Sequence, residues 1–154
     1  MAMFDLFVPD KEMKEIQQII DNADEIFGGM TKAAAEAVCA TARGSCPNSK
    51  LASHIKTTTV YKTPSDGGIN TKVICSGYIP LSGNRESFTR KGGNGQSYTT
   101  TKGLPAPFLL NLYEYGRSGA PFPRKPFFWS SFKASMIKTI MEQEQKKLSG
   151  GILD

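Results

Sequence analysis

Apolar residues recur at intervals of three and four between positions 9 and 27, where Met13, Ile16, Ile20, Ala23 and Phe27 fall on one stripe of a helix. Pro9 and Asp10 are suitable opening residues, and Glu12 and Glu15 sit near the positive end of the helix dipole. Gly28 and Gly29 then interrupt the pattern. Residues 30–43 carry Ala33, Ala34, Ala35, Ala37, Val38, Ala40 and Ala42, combining high helix propensity with side chains small enough for a close helix contact. Gly44, tolerant of a left-handed cap, and Pro47, unable to continue helical bonding, predict the end of this second helix.

Beyond Leu51 the period changes. Residues 55–63 are rich in Thr, Val and Tyr, and 70–78 carry Val73, Ile74 and Cys75. The run Pro64-Ser65-Asp66-Gly67-Gly68 between them is a turn signal, so the two segments predict a β-hairpin. Residues 80–107 shift to Gly, Ser, Thr, Asn and basic side chains with little aliphatic periodicity, which predicts a flexible loop or insertion. Residues 108–115 read as a third strand, with Phe108, Leu110 and Leu112 on one face and Tyr113 and Tyr115 on the other, closed by Gly116. The proline-rich stretch 117–125 is expected to be irregular.

Pro126 suits the first position of a last helix running to about Leu148, whose Trp129, Phe132, Met136, Ile137, Ile140 and Met141 would pack on the sheet, with Trp129 and Phe132 in the core. A flexible tail is expected over 149–154. The whole, 1–154, is expected to be a single α+β domain: N-terminal helices and a C-terminal helix on one side of a mainly antiparallel β-sheet, with a long loop between strands.

Composition narrows the function classes. A chain of 154 residues suits one domain and can bury roughly 70% of the surface it exposes when unfolded. Its apolar runs, such as 108–110 and 127–129, fall far short of the ~20 residues a membrane span requires. Positions 1–9 carry Asp5 and no basic residue ahead of the apolar stretch, unlike a secretory signal, so synthesis in the cytoplasm is expected. Cys39, Cys46 and Cys75 make no CxxC pair and are expected to be reduced. Cys39 and Cys46 lie seven residues apart, about 10 Å along a helix, too far to bond to each other.

Candidate chemistry is sparse. His54 is the one histidine, and no Cys, Asp or Glu stands near it at ligand spacing. The patch Gly92-Gly93-Asn94-Gly95 lacks the strand and helix context of a phosphate-binding loop. Asp10, Glu12, Glu15, Asp21, Asp24 and Glu25 cluster in the first helix, where a solvated face explains them. No catalytic, cofactor-binding or metal-ligating residue is assigned, and no enzyme activity is expected.

The net charge of +5 leans toward an anionic partner or simply toward solubility. Within 85–102, four cations, Arg85, Arg90, Lys91 and Lys102, stand against Glu86 alone, with Phe88 and Tyr98 among them. Cations interleaved with aromatics suit a nucleic-acid surface, which makes a small binding module built on this loop the alternative reading. Aromatic residues are also dense from 108 to 132. Phe122, on the proline-rich stretch, and the nearby Tyr115, Arg117 and Arg124 are candidates for contacting another subunit, since aromatics and arginines are enriched in interface hot spots.

Three short motifs follow one another along the chain: Pro47 after the Ala-rich helix leads to Leu51-Ala52-Ser53-His54-Ile55, a later apolar run ends in Glu114-Tyr115-Gly116, and Pro126-Phe127-Phe128 opens the final segment. In order and spacing they resemble the tail-completion family of neck proteins in long-tailed bacteriophages, across most of the chain. His54 replaces the family's serine, and Trp129-Ser130-Ser131 replaces a small Pro-Ala sequence. The resemblance implies a structural virion protein of the head-tail joint, without catalysis or cofactor. It would act as a ring of copies, a hexamer by expectation, around the DNA channel. Its partners would be itself and connector, stopper or tail terminator proteins, with transient DNA contact in the channel and no membrane.

Overall fold

The computed structural model describes residues 9–80, 88–100, 103–117 and 122–150. The chain is an α+β protein in which helices pack against short antiparallel strands. Helix α1 (Asp10–Asp21) gives way to α2 (Ala23–Ser45) at Asn22, not at the glycine pair. The Asn22 N–H still donates to Gln18 O and the Ile26 N–H to Asn22 O, so helical bonding carries through the joint.

Gly28 and Gly29 lie inside α2, and their role is proximity. A Cβ on Gly29 would stand 2.3 Å from Leu148 Cδ1, and one on Gly28 would stand 3.4 Å from Val60 Cγ1. The roughly 1 kcal/mol of helix propensity that each glycine forfeits is exchanged for neighbours close to the helix backbone. At its other end α2 passes through Gly44 without a left-handed turn and stops where Cys46 becomes extended before Pro47.

Asn48 then caps the short helix α3 (Ser49–Ala52), its Oδ1 accepting from the N–H groups of Lys50 and Leu51 at 3.0 and 3.1 Å. This turn delivers Leu51 and Ile55 to the centre of the molecule, where both are 0% exposed. Arg43 Nε donates to Ile55 O at 2.7 Å and holds the end of α2 to the chain beyond it.

The expected hairpin forms. Strand β1 (Ile55–Thr57) pairs with β4 (Val73–Cys75), and β2 (Tyr61–Lys62) with β3 (Ile69–Asn70). The turn is closed by Thr63 N–H to Gly68 O and Gly67 N–H to Thr63 O, both 2.8 Å, and by the Asp66 carboxylate accepting from the Gly68 N–H. Lys62 Nζ pairs with Asp24, joining the hairpin to the first turn of α2.

Strand β5 (Tyr78–Ile79) pairs with β8 (Leu104–Pro105). The long connection expected at 80–107 thus returns to the body, and it carries its own ribbon: β6 (Phe88–Lys91) pairs with β7 (Ser97–Thr100) in register. The glycine patch forms the turn of this ribbon, with Gly92 N–H donating to Gln96 O and Gly95 at φ 78°.

Residues expected to form a third strand are instead helix α4 (Ala106–Tyr115). Ala106, Leu109, Leu110 and Glu114 are buried while Pro107, Asn111 and Tyr115 are exposed, which is helical periodicity; the alternation of Phe108, Leu110 and Leu112 was coincidental. Pro105 and Pro107 fall at the start of the helix, where missing N–H donors do no harm. Gly116 ends it at φ 78°.

The last helix also starts later than Pro126. A 3-10 turn (Trp129–Ser131) intervenes, and α5 (Ala134–Leu148) follows. Its half-buried stripe, Met136, Ile137, Ile140 and Met141, packs chiefly along α2 rather than on the strands. Ser149 and Gly150 form a turn after α5, with Ser149 buried, and residues 151–154 of the expected tail lie outside the described residues. The core gathers Cys39, Ala42, Leu51, Ile55, Ile79, Ala106, Leu109, Leu110, Phe127 and Phe128. Trp129 and Phe132, expected there, are exposed instead.

Candidate functional site

The end of α4 is densely bonded to the chain that follows it. Glu114 is 4% exposed, and among the described residues no cation pairs with it; its Oε1 accepts from the backbone N–H of Phe127 at 2.7 Å and of Phe128 at 2.6 Å. Burial of a carboxylate is tolerable only with such donors. Arg124 Nε donates to Glu114 O at 2.8 Å, and the Lys125 N–H to Tyr113 O at 3.0 Å, so two of the last carbonyls of α4 are satisfied as well. Ser130 and Ser131 hydroxyls both donate to Phe127 O, at 3.0 and 2.7 Å. The described part of the proline-rich stretch is therefore strapped to its own helix rather than free.

This strap sorts the aromatic residues into two sets. Phe122 is half-buried, its ring centroid 5.2 Å from that of Tyr113 in an edge-on contact, so it anchors the chain to itself. Tyr115 and Trp129, by contrast, are 67% and 57% exposed, with the indole N–H donating to the Tyr115 hydroxyl at 3.1 Å. Phe132 lies 5.7 Å from Trp129, and buried Phe128 stands edge-on to both. Tyr115, Trp129 and Phe132 make an exposed aromatic patch with a rigid base. Arg117 is exposed on the segment that follows Tyr115, and Arg124 is exposed on the strap.

The candidates of the basic connection are separate from this patch in sequence and in secondary structure. Arg85 lies outside the described residues. Phe88, Arg90 and Lys91 are on β6 and Tyr98 is on β7, where the register sets Arg90 opposite Tyr98 and Lys91 opposite Ser97. Lys91 is exposed.

Titratable groups elsewhere hold the fold. His54 is half-buried with Nδ1 3.0 Å from Ser76 O, and a Cβ at Gly77 would stand 2.9 Å from that same nitrogen. Burial, then the neighbouring Cys46 thiol, pushes the Cys75 thiol up to about 11, with Lys56 opposing; burial also raises Cys46, partly offset by its bond to Asn48 O. Both therefore stay protonated and poorly nucleophilic at neutral pH. Among the described residues, no group of three or more His, Cys, Asp or Glu could hold a metal ion, and no helix is long and apolar enough to cross a membrane.

One surface escaped the sequence reading. The stripe of α1, expected to face a core, is in solvent: Met13, Ile16 and Ile20 are 54%, 51% and 61% exposed, Phe27 at the start of α2 is also exposed, and α1 has no buried residue. Periodicity shows which side chains share a face but not whether a partner lies there. Neither a family model, nor a curated protein, nor a solved structure matches this chain.

Proposed function

We propose that this chain is a structural head-tail joining protein of the phage neck, of the tail-completion type, which assembles with its own copies around the DNA channel and connects the head connector to the tail. The observation that carries the reading is the large apolar surface left in solvent: the α1 stripe at one place and Tyr115, Trp129 and Phe132 at another. Contiguous exposed apolar groups on a small protein mark surfaces that other proteins cover. The family resemblance supplies the identity of those proteins. Two of its motifs, Glu114-Tyr115-Gly116 and Pro126-Phe127-Phe128, are bonded to each other through the Glu114 carboxylate, which gives their joint occurrence a physical reason.

Light scattering of the purified chain, alone and mixed with a connector, a stopper or a tail terminator protein, tests this reading. Assembly into a ring-sized species or capture by one of these partners is expected. A monomer that binds none of them sinks it. The alternative reading, a nucleic-acid module, draws on the β6–β7 ribbon and its Arg90 and Lys91; it requires DNA binding that weakens steeply with added salt.

A further inference from the structure

The exposed rings of Tyr115, Trp129 and Phe132 are held in place before anything covers them. The indole N–H is satisfied by the Tyr115 hydroxyl, Phe128 stands edge-on to the indole, and the Ser130 and Ser131 hydroxyls fasten the turn to Phe127 O. Rings fixed in this way lose little freedom on binding, and Trp, Tyr and Arg are the side chains that most often anchor interfaces. Phe132 also borders an apolar cleft of about 190 Å³, whose lining includes Ala35, Val38, Ile137 and Met141 and no charged residue. Patch and cleft together offer a platform beside a socket.

The charge around this surface has one sign. Arg124 Nε donates to Glu114 O, and a Cβ on Gly116 would stand 3.8 Å from Arg124 Cβ, which sets Arg124 beside the Tyr115-Gly116-Arg117 corner. Lys133 follows Phe132 directly, its N–H donating to Ser131 O. Arg117, Arg124 and Lys133 are exposed, and among the described residues none of them has a carboxylate partner. The neighbouring elements supply none: Glu114 is buried on backbone donors, and α5 carries no carboxylate before Glu142, about 13 Å along the chain axis from Lys133. Glu36 of α2 lines two other clefts, neither of which includes a residue of the patch. Between 115 and 133 the chain holds four cations and no carboxylate.

We propose that this surface takes an acidic segment of a protein other than this chain, which lays carboxylates against Arg117, Arg124 and Lys133 and inserts an apolar side chain into the cleft beside Phe132. The inference rests on the joining function proposed above and specifies where the head or tail partner is held. Another copy is the poorer occupant, because patch against patch sets cation against cation and each copy carries +5 overall. Single-stranded nucleic acid needs ring faces free for successive bases, whereas Trp129 and Phe132 are tilted 35° to each other at 5.7 Å and crowd that space. Membrane-surface binding uses an amphipathic helix laid flat, whereas this patch is formed by one 3-10 turn and the last residue of α4.

The test uses the full chain with a connector, a stopper and a tail terminator protein in turn. Trp129→Ala removes the central ring, and Arg117→Glu reverses an exposed charge. By isothermal titration calorimetry, the protein that the wild type binds is expected to bind Trp129→Ala at least about thirtyfold more weakly and Arg117→Glu about tenfold more weakly at low salt. Arg117→Lys is expected to restore the affinity, and about 0.5 M salt to shrink the Arg117→Glu deficit. Self-association, followed by analytical ultracentrifugation, is expected to be unchanged in both variants. Circular dichroism checks the fold of Trp129→Ala, and Arg117→Glu decides if that variant does not fold. A folded variant of either kind that binds like the wild type overturns the inference and leaves the joining function standing, as does loss of self-association in place of partner binding. A wild type that binds none of the three proteins overturns it too, and the joining function falls with it only if the chain is also a monomer. Trp129 is the only tryptophan, so its fluorescence reports on the patch directly. Quenching by oligothymidylate, or a shift to shorter wavelength with phosphatidylglycerol vesicles, would assign the patch to nucleic acid or to lipid and refute the proposal.

Discussion

The strap around Glu114 and the α1 arm invert the usual placement of polar and apolar groups. At Glu114 a carboxylate lies in the interior, and two short backbone N–H bonds make that placement tolerable. In α1 a regular apolar stripe is more than half exposed to water, and no residue of the helix is buried. The first region is determined many times over by its own bonds, and on the reading proposed above the second is left for a partner.

Removing the buried acceptor should separate the two regions most sharply. Glu114→Ala is expected to lower unfolding free energy by about 3–5 kcal/mol, because two buried N–H groups lose their acceptor. Glu114→Gln keeps a neutral acceptor and is expected to lose about half as much. Urea denaturation measures both, and a wild-type midpoint for the alanine variant would mean that the strap does not determine the body.

Leu51→Ala, at a site with no exposed surface, is expected to destabilise by about 2–5 kcal/mol in the same assay. Gly103→Ala should follow at about 1–3 kcal/mol: its φ of 109° disfavours any side chain, and a Cβ would meet Ile79 O at 2.3 Å. Gly29→Ala makes the useful contrast. The obstructing atom there is the flexible end of Leu148, which can move aside as helix propensity improves, so a change within about 1 kcal/mol of zero is expected.

In the arm, Ile20→Ala is expected to shift stability by no more than about 0.5 kcal/mol while weakening assembly. A large loss of stability in the isolated chain would show that α1 is covered by its own body after all.

The smallest effect concerns pH. The Cys75 thiol is raised by burial from 9.0 to about 11, so the folded state holds that proton more tightly than the unfolded one. Its contribution is complete below pH 9 and is lost as pH rises through about 11. Thermal midpoints measured across that interval should fall less in Cys75→Val than in the wild type.

Where structure is set by near neighbours, it was legible in the residues. The hairpin of β1 to β4 followed from a Pro-Ser-Asp-Gly-Gly turn between two β-rich runs, and the bonds of Thr63, Asp66, Gly67 and Gly68 are local. The boundary at Gly116 is legible for the same reason, although the element it ends was expected to be a strand. The helix at 106–115 was not, because three alternating apolar residues in an eight-residue run satisfy a strand as well as a helix. A glutamate inside that run was the available signal: a buried carboxylate demands donors, and these lie thirteen and fourteen residues further on.

The candidate site divides in the same way. That this chain has a cluster of aromatics late in its length, an acidic first helix and a basic remainder is written in its sequence. Which aromatics face water is not: Phe127 and Phe128 are buried with their N–H groups on Glu114, while Trp129 and Phe132 are exposed. Amphipathicity likewise belongs to the sequence of α1, whereas the exposure of its stripe belongs to the tertiary structure, since a one-residue joint at Asn22 gives that helix no route to fold back on α2.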